Sequence, residues 1–514
     1  MRHRPELRSL RARRDEIVRP GETCWRTARA ERLALLMDNQ AYFRAVGEAL
    51  RQARRSVWIM GWEFDPRTVI DPDAGEETFG DLLNRLVAER PELSVRLLIW
   101  DAALPVSVSR NFFPQRARFW LDRRIRLVLD DRHPLGACHH QKLVLVDDAL
   151  AFVSGGDFMP GRWDSHAHID GDPRRRLLGR DHAPRHDVTA LVDGEAAAAL
   201  ADLARERWRR ATGETLPGPE PATDVPWPAS VDAAAAGVEI GIARTLPGFA
   251  GPEVRESEAL YLAMIAAARR LIVIENQYFS AAAIGAALEA RLAEPDGPEI
   301  VVVCTPHSPS YFDRLFMDAG RDALVAHLRG ADRFGRFHAF APYTAEGQGI
   351  IVHSKVMIVD DVALRVGSSN ANNRSMGLDT ELDLVVAAPD GPAGAPLRRA
   401  VNAFRDGLLA HYLDRPAEEL ARTAARLGSY GAAIDRLDRE EPRRLRPIRP
   451  GALGPLGRIT ASRHLGDPLG TFDNWRPWRR PAGPVRFPVA AVAAAGAAAG
   501  LLAVAARRSG EEGR

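Results

Sequence analysis

The sequence predicts an α/β (α+β) sandwich of two pseudo-symmetric units, each with a mixed β-sheet flanked by helices, which share one active site and precede a C-terminal apolar helix. Three observations predict it: an HxKxxxxD frame occurs twice, β-branched runs alternate with alanine-rich helical runs, and 514 residues can bury two cores. The apolar content of 46% and the charged content of 27% are typical of a globular protein.

The repeated frame contains the only two lysines of the chain, Lys142 and Lys355, although lysine and arginine together number 70. The two copies lie at residues 140–147 and 353–360. Because the rest of the chain carries its positive charge on arginine, composition does not explain these two lysines. A compact ammonium group differs from a flat guanidinium, so the frame indicates chemistry that requires lysine.

Other segments repeat at the same spacing or in the same order. The pairs are Ser154-Gly155-Gly156-Asp157 with Gly367-Ser368-Ser369-Asn370, residues 57–64 with 272–279, and residues 96–100 with 300–304. Self-similarity of this kind indicates a duplicated structural unit. We therefore predict two diverged copies of one αβ unit.

Composition divides the chain into five predicted segments. They are a polar N-terminal arm (1–27), a first unit (28–215), a second unit (237–416), an arginine- and proline-rich C-terminal segment (417–486) and a membrane anchor (487–508). A proline-rich linker at 217–228 separates the two units. Alanine-rich runs at 41–55 and 256–269 are predicted helices that cover the strands.

Each frame contains a predicted buried strand, since residues 143–146 and 356–359 are apolar throughout. Residues two apart on a strand face the same side, so the histidine and the lysine of each frame point into one space. Asp147 and Asp360 lie seven positions after their histidines and face away. We expect these two carboxylates to hold strand ends or loops by hydrogen bonds, without contacting substrate.

Two frames placed face to face supply two imidazoles and two ammonium groups, a set that suits a phosphodiester. The catalytic candidates are therefore His140, Lys142, His353 and Lys355. The lysines, with Asn370 and with Asp157 or Ser368, are expected to hold the non-bridging phosphate oxygens. One neutral histidine attacks phosphorus to form a covalent phosphohistidine, and the other, protonated, gives its proton to the leaving alcohol. We expect no metal and no cofactor, because the lysines neutralise the charge.

The duplicated frame resembles the hallmark of the phospholipase D superfamily, and the resemblance extends over residues 28–415. The segments that favour its phosphatidylcholine-type members are His139-His140-Gln141-Lys142, Gly161-Arg162-Trp163-Asp164, Arg185-His186-Asp187-Val188, residues 274–279 and residues 372–381. The resemblance implies hydrolysis of glycerophospholipids to phosphatidate and a free headgroup alcohol, with transphosphatidylation to alcohols. It also implies that Asp187 and Glu381 orient the two histidines. It favours His140 as the nucleophile and His353 as the acid, while the pseudo-symmetry leaves the reverse assignment open.

Other functions stay open at this point. A cardiolipin synthase-type phosphatidyltransferase would use the same intermediate, and a nuclease of the same superfamily would use the same residues. The net charge of +2 disfavours a strongly basic nucleic-acid binder, so we expect no nucleic-acid partner. A non-catalytic membrane scaffold is disfavoured because both frames are intact. The expected partners are a glycerophospholipid, a membrane surface and a water or alcohol acceptor.

Histidine and cysteine positions give no metal pattern. The pair of histidines in His166-Ala167-His168 suggests a metal site. Because the sequence shows no third ligand, we predict that the pair has a role in its loop. Cys24, Cys138 and Cys304 are widely spaced and predict neither a disulfide framework nor a zinc site.

The far end of the chain is strongly apolar. Residues 489–506 contain only Ala, Val, Leu and Gly, and a helix of this length just spans a bilayer core. With its flanking arginines, the segment predicts an anchor that holds the protein on the cytoplasmic face of the cell membrane. Gly496 and Gly500 form a GxxxG motif, which predicts a homodimer through this helix. The arginine-rich, lysine-poor composition suggests a bacterial source.

Overall fold

A mixed β-sheet of sixteen strands organises the protein, which is described here by a computed structural model. The structure describes residues 17–101, 114–177, 179–220, 225–249, 251–310, 313–439, 442–451 and 454–470. All of them fall within one compact unit.

The strands are short in most places and reach twelve residues at the centre of the sheet. They are β1 (Arg26–Met37), β2 (Ser56–Gly61), β3 (Ser94–Trp100), β4 (Arg126–Asp130), β5 (Leu143–Val146), β6 (Leu150–Ser154), β7 (Arg176–Leu177), β8 (Arg180–Asp181), β9 (Arg185–His186), β10 (Val188–Asp193), β11 (Ala235–Leu246), β12 (Val254–Arg255), β13 (Leu271–Asn276), β14 (Glu299–Cys304), β15 (Phe337–Pro342), β16 (Ile351–Val352), β17 (Lys355–Val359), β18 (Ala363–Gly367), β19 (Glu381–Ala387) and β20 (Leu445–Pro447).

The helices connect these strands and cover both faces of the large sheet. They are α1 (Asp38–Gln52), α2 (Phe79–Glu89), α3 (Gly194–Thr212), α4 (Glu256–Ala267), α5 (Ala282–Leu292), α6 (Ala319–Ala331), α7 (Asn373–Gly377), α8 (Ala395–Leu413), α9 (Ala417–Leu427), α10 (Tyr430–Leu437) and α11 (Pro455–Arg463).

Strand order is the same in the two halves of the sheet. From the centre outward the first half runs β1-β10-β6-β5-β2-β3-β4, and the second runs β11-β19-β18-β17-β13-β14-β15, with β20 beyond it. The long strands β1 and β11 pair antiparallel where the halves meet. In both halves the outer strands are parallel to one another and the inner ones antiparallel. As a result β5 and β17, which follow the two histidines, occupy corresponding central places.

Successive side chains of the central strands point to opposite faces of the sheet, so each strand contributes to the hydrophobic cores on both faces. In β5, Leu143 and Leu145 join the core that contains α3 and α8, whereas Val144 and Val146 join the core under α1 and α2. In β17, alternate residues divide in the same way between the first of these cores and the one under α4, α5 and α6. Strands covered on both faces must be apolar at every position, which explains the uninterrupted apolar runs after each lysine. The predicted mixed sheet flanked by helices is confirmed.

The prediction of membrane localisation through a C-terminal helix is wrong. No helix in the part of the chain that the structure describes is long and apolar enough to cross a membrane. The predicted anchor at 487–508, with Gly496 and Gly500, lies outside the described residues. Alanine dominates this run, and alanine contributes little to insertion into hydrocarbon, so length and flanking charge were weak grounds for the prediction.

Candidate active site

The two histidine–lysine pairs lie at the starts of two corresponding strands. Lys142 immediately precedes β5, and Lys355 is the first residue of β17. Nζ of Lys142 donates a hydrogen bond to the carbonyl oxygen of His140 at 3.0 Å, and Nζ of Lys355 donates to that of His353. A second acceptor for Lys355 is Oε1 of Gln277, at 3.0 Å. Each ammonium group is buried and held beside its own histidine.

A parallel bridge brings a carboxylate of the second half to the first histidine. His139 pairs with Thr380, and the N–H of His140 donates to the carbonyl oxygen of Thr380 at 3.0 Å. The next residue, Glu381, places Oε2 3.0 Å from Nδ1 of His140, and the carbonyl oxygen of Ser368 lies 3.1 Å from the same nitrogen. A carbonyl oxygen only accepts hydrogen bonds, so Nδ1 carries the proton and Nε2 is left with the lone pair.

Two serine hydroxyls donate hydrogen bonds to the Glu381 carboxylate. Oγ of Ser368 donates to Oε2 at 2.5 Å, and Oγ of Ser375 donates to Oε1 at 2.6 Å. The carboxylate is fully buried, and this burial raises its pKa well above the usual range. The three neighbours leave Glu381 one orientation, which in turn fixes the plane of the His140 ring.

The second histidine receives its carboxylate from the first half in the same way. Strand β16 pairs in parallel with β9, so that Val352 lies opposite His186, and the N–H of His353 donates to the carbonyl oxygen of His186 at 2.8 Å. The next residue, Asp187, places Oδ2 2.9 Å from Nδ1 of His353. Its Oδ1 accepts from the backbone N–H of Val188 at 2.9 Å. Each half therefore supplies the carboxylate for the other half's histidine.

The loop after β6 approaches Asp187 so closely that two glycines are required. A Cβ at Gly155 would lie 2.8 Å from Oδ1 of Asp187 and 2.7 Å from the carbonyl oxygen of His353. A Cβ at Gly156 would lie 2.6 Å from Oδ2. The corresponding position to Gly155 in the second half is Ser368, whose hydroxyl instead bonds to a carboxylate. The Gly-Gly and Ser-Ser versions of this turn therefore support their carboxylates differently.

Asp157 and Asn370 end these two turns. Oδ1 of Asp157 accepts from the backbone N–H of Trp62 at 2.9 Å, and Oδ2 lies 3.5 Å from Nζ of Lys142. The backbone N–H of Asn370 donates to Oγ of Ser375 at 3.0 Å. The buried Oδ1 of Asn370 has no hydrogen-bond partner within the described ranges. Asp157 thus balances the charge of Lys142, and Oδ1 of Asn370 remains available as a hydrogen-bond acceptor.

Asp147 and Asp360 hold strand starts, as the sequence analysis expected. The Asp147 carboxylate accepts from the backbone N–H groups of Arg54, Arg55 and Ser56 at 2.7, 2.7 and 2.8 Å. The Asp360 carboxylate accepts from those of Arg269, Arg270 and Leu271 at 3.0, 2.8 and 2.9 Å. Both residues have positive φ, 53° and 52°, a conformation that aspartate tolerates better than most residues. They anchor β2 and β13 and do not touch the histidines.

A family model described as "Cardiolipin synthase, PLD-like domain" matches residues 261–399. Phospholipase D1 of Schizosaccharomyces pombe is 22% identical over 454 residues, which cover 68% of this chain and 32% of that protein. Phospholipase D alpha 4 of Arabidopsis thaliana is 25% identical over 465 residues, which cover 66% of this chain and 59% of that protein. These matches agree with the paired HxKxxxxD site. Together they support the phospholipase D superfamily as the family of this chain.

The fold agrees with this assignment. The crystal structure of phosphatidylserine synthase from Haemophilus influenzae Rd KW20 superposes with a TM-score of 0.53 and 13% identity, covering 78% of this chain and 94% of that chain. The chain spans about a third of the length of the yeast relative and less than two thirds of that of the plant relative.

Burial and nearby cations set the protonation of the two histidines. Burial and the two lysines lower the pKa of both His140 and His353 well below the usual range. Burial lowers the pKa of Lys355 to about 7, against the attraction of Asp187. Because Lys142 and Lys355 act on both rings, the four groups form one electrostatic site. A bound phosphodiester anion would supply the missing negative charge and favour the protonated forms.

Two arginines near His353 were not assigned a role from the sequence, although both stand in segments that carried the family resemblance. Burial lowers the pKa of Arg185 to about 9, and its Nε and Nη1 have no hydrogen-bond partner among the residues described. Arg162 lies 3.9 Å from a carboxylate oxygen of Glu63. Both guanidinium groups lower the pKa of His353. They add further positive charge on the side of the second histidine.

A cluster of four potential metal ligands was not predicted from the sequence. Asp38, His168, His186 and His411 bring their ligand atoms within 4.8 Å of one another. The loop role predicted for the His166-Ala167-His168 pair rested on the lack of a third ligand, and the fold supplies two more histidines and a carboxylate. Their wide separation along the chain leaves no local spacing by which a motif could be recognised.

Proposed function

We propose that the protein is a phospholipase D-type phosphodiesterase and phosphatidyltransferase. It cleaves a glycerophospholipid to phosphatidate and a free headgroup alcohol, and it passes the phosphatidyl group to an alcohol when one is available. The reaction proceeds through a covalent phosphohistidine.

The observation that carries this proposal is the reciprocal pairing of histidines and carboxylates around two buried lysines. Nδ1 of His140 contacts Glu381 and Nδ1 of His353 contacts Asp187, so both rings have Nε2 free for chemistry. One imidazole alone can attack phosphorus, but it cannot also protonate the leaving oxygen on the opposite side. Two oriented rings can divide these tasks between them.

The first step uses His140 as the nucleophile. Its lowered pKa keeps the ring neutral near pH 7, and the acceptors at Nδ1 leave the lone pair on Nε2. Nε2 attacks phosphorus, and the bond from phosphorus to the headgroup oxygen breaks. His353, whose pKa is also lowered in the free site, gains its proton when the phosphodiester anion binds beside it, and it gives this Nε2 proton to the headgroup oxygen. The side chain of His140 is 15% exposed, so a phosphorus atom can approach it.

The second step reverses the proton transfer. His353, now neutral, takes a proton from water or an alcohol, whose oxygen attacks the phosphohistidine and releases His140. The lysines hold the non-bridging oxygens in both steps, because their ammonium groups sit beside the two rings. Oδ1 of Asn370 has no hydrogen-bond partner among the described residues, so it can accept a hydrogen bond from the attacking hydroxyl group. The identical strand order of the two halves supports a pseudo-symmetric relation between the units.

A cardiolipin synthase-type transfer is the second candidate, because the matching family model carries that description. It would use the same phosphohistidine with a second lipid hydroxyl as acceptor. The two proposals differ in the acceptor and share every residue of the site.

The test is product analysis with vesicles of phosphatidylcholine and of phosphatidylglycerol, with and without ethanol. Phosphatidate alone, with phosphatidylethanol in ethanol, supports the phospholipase D reaction, and cardiolipin from phosphatidylglycerol supports the synthase. His140→Ala and His353→Ala should each abolish product, while His327→Ala, on an exposed helix face, should not. Lipids left intact while single-stranded nucleic acid is cleaved would reject both proposals in favour of a nuclease.

A lipid with a nitrophenol headgroup assigns the two histidines, since nitrophenolate leaves without a proton. With this substrate His353→Ala should release one burst of nitrophenol and accumulate phosphorylated His140, whereas His140→Ala should release none. The reverse pattern would exchange the two roles.

A further inference from the structure

A buried cluster of histidines adjoins Asp187 in the chain. It consists of His168 in the loop after β6, His186 in β9, His411 in the last turn of α8 and Asp38 at the start of α1. None of these groups takes part in the chemistry proposed above. Three buried imidazoles around one carboxylate need hydrogen bonds or a shared ion to offset their lost hydration.

We propose that this cluster binds a divalent transition-metal ion, and that the ion is Zn²⁺. The ligand atoms are Nε2 of His168, Nδ1 of His186, Nε2 of His411 and the carboxylate of Asp38.

The distances between these atoms suit a four-coordinate ion. Nδ1 of His186 lies 2.7 Å and Nε2 of His168 lies 3.5 Å from Oδ1 of Asp38. Nε2 of His411 lies 3.6 Å from Oδ2 of Asp38 and 3.0 Å from Nε2 of His168. A tetrahedral zinc ion with bonds of about 2.0 Å separates its ligand atoms by about 3.3 Å. All the ligand atoms lie within 4.8 Å of one another, so side-chain shifts on the order of an ångström would complete the coordination.

Two of the rings have a carboxylate beside their outer nitrogen. Nδ1 of His168 lies 2.8 Å from Oδ2 of Asp164, and Nε2 of His186 lies 3.1 Å from Oε1 of Glu275. Histidines that bind metals commonly donate their other N–H to a carboxylate, which fixes the tautomer and raises the basicity of the ligand nitrogen. Here the carboxylates turn the lone pairs of both rings toward Asp38.

His411 is supported by another histidine. Its Nδ1 lies 3.1 Å from Nε2 of His166, whose Nδ1 lies 2.9 Å from Oδ2 of Asp38. His166 is half exposed, so it stands between the cluster and solvent. It offers a route by which an ion reaches the buried ligands.

The two outer carboxylates are themselves fixed. Asp164 accepts from the backbone N–H of Arg185 at 2.8 Å and from Nη1 of Arg175 at 3.1 Å. Glu275 accepts from Oη of Tyr412 at 3.0 Å and from Oγ of Ser354. A cluster with supports of this kind is preorganised, so little rearrangement is needed on binding.

The ligand set selects the ion. Three imidazole nitrogens and one carboxylate oxygen suit Zn²⁺, while Mg²⁺ and Ca²⁺ prefer oxygen ligands throughout. With four protein ligands the coordination is closed, which is typical of structural zinc and leaves no position for substrate. The ion would tie together α1, β9 and α8.

The position of the ion links it to the active site. The carbonyl oxygen of His186 accepts the N–H of His353, and the next residue, Asp187, orients the His353 ring. An ion that fixes His186 would therefore fix the segment that carries this carboxylate. Its role would be to position Asp187, without touching substrate.

Metal analysis of the full-length protein tests the proposal. We expect about one zinc per chain after purification, loss of zinc with a strong chelator, and a rise in Tm of several degrees when Zn²⁺ alone is returned. Co²⁺ returned in its place should give the intense visible absorption of a tetrahedral site. This spectrum needs no variant, so it stays informative if a variant fails to fold.

Variants assign the ligands. His168→Ala and His411→Ala should lose the zinc and the Co²⁺ spectrum, whereas His327→Ala should keep both, because His327 forms an exposed pair with Glu289 at 3.0 Å. The proposal would be overturned if the protein took up no zinc and its Tm did not change on addition of Zn²⁺. The cluster would then be a network of hydrogen-bonded histidines. Equal zinc uptake by His168→Ala and the unmodified chain would also overturn it.

Discussion

Nδ1 of His353 lies 2.9 Å from Oδ2 of Asp187, a residue that precedes it by 166 positions and belongs to the opposite half of the sheet. Nδ1 of His140 and Glu381 repeat the relationship in the other direction across 241 positions. Neither half alone contains a histidine with its orienting carboxylate. The proposed activity therefore requires both halves in their native register.

Glu381→Gln should lower kcat about 10²–10⁴-fold with a small change in KM, because it leaves the His140 ring in place but weakens the charge that stabilises its imidazolium form. Steady-state kinetics on short-chain phosphatidylcholine measures both constants. Glu206→Gln, an exposed carboxylate on α3, is the matched control. Unchanged kcat in Glu381→Gln would remove the carboxylate from the mechanism.

Gly155→Ala should damage the second histidine pair. The added methyl group would meet Asp187 and the carbonyl oxygen of His353 at under 3.0 Å, so the loop or the carboxylate must move. We expect a loss of about 1–3 kcal/mol of unfolding free energy together with a fall in kcat. Denaturant titration and kinetics measure the two effects.

Gly407→Ala serves as the control for that experiment. Gly407 lies within α8, where a Cβ would approach nothing closer than Cε of Met37 at 3.9 Å. Alanine favours a helix, so this variant should be neutral or slightly stabilised. Equal behaviour of the two variants would mean that the close approach at Gly155 does not matter.

Asp147→Ala should destabilise the fold and leave the chemistry nearly intact. The change removes the acceptor of three backbone N–H groups at the start of β2, and unpaired buried donors cost about 1–3 kcal/mol. Asp360→Ala should destabilise the fold in the same way, through the start of β13. A thousandfold loss of kcat with unchanged stability would instead show that these carboxylates act on substrate.

His139 should make the fold sensitive to acid. Burial and the charge of Arg207 lower the pKa of His139 to about 4, although its Nε2 lies 3.1 Å from Oδ2 of Asp130. The unfolded chain binds this proton near pH 6.5, so stability is complete above that pH and falls as the pH drops from 6.5 to about 4. The contribution is on the order of 3 kcal/mol.

His139→Gln tests this directly. The free energy of unfolding, measured between pH 7.5 and 4, should fall less steeply in the variant than in the unmodified chain. Parallel curves would assign the acid sensitivity to other buried groups.

Sequence reasoning found the features that depend on local pattern. The apolar runs after Lys142 and Lys355 predicted buried strands, because strands covered on both faces cannot alternate. The resemblance pointed to Asp187 and Glu381. It did not say which carboxylate serves which histidine, because that depends on the register of β16 against β9 and of His139 against Thr380.

The histidine cluster marks a harder limit. Asp38, His186 and His411 come from a helix start, a short strand and a helix end that only the folded chain brings together. The His166-Ala167-His168 pair was visible, but its partners had no fixed spacing from it. Long-range convergence of this kind leaves no periodic signal in a single sequence.

The scarcity of lysine has a practical consequence for labelling this protein. Lys142 and Lys355 are 2% and 0% exposed, and no other residue carries a side-chain amine. Amine-directed reagents will therefore find almost nothing on the outer surface apart from the α-amino group. A small aldehyde or activated ester that attaches to a lysine must have reached the candidate active site. Trypsin does not cut at a modified lysine, so the peptides that it releases will show which half was reached.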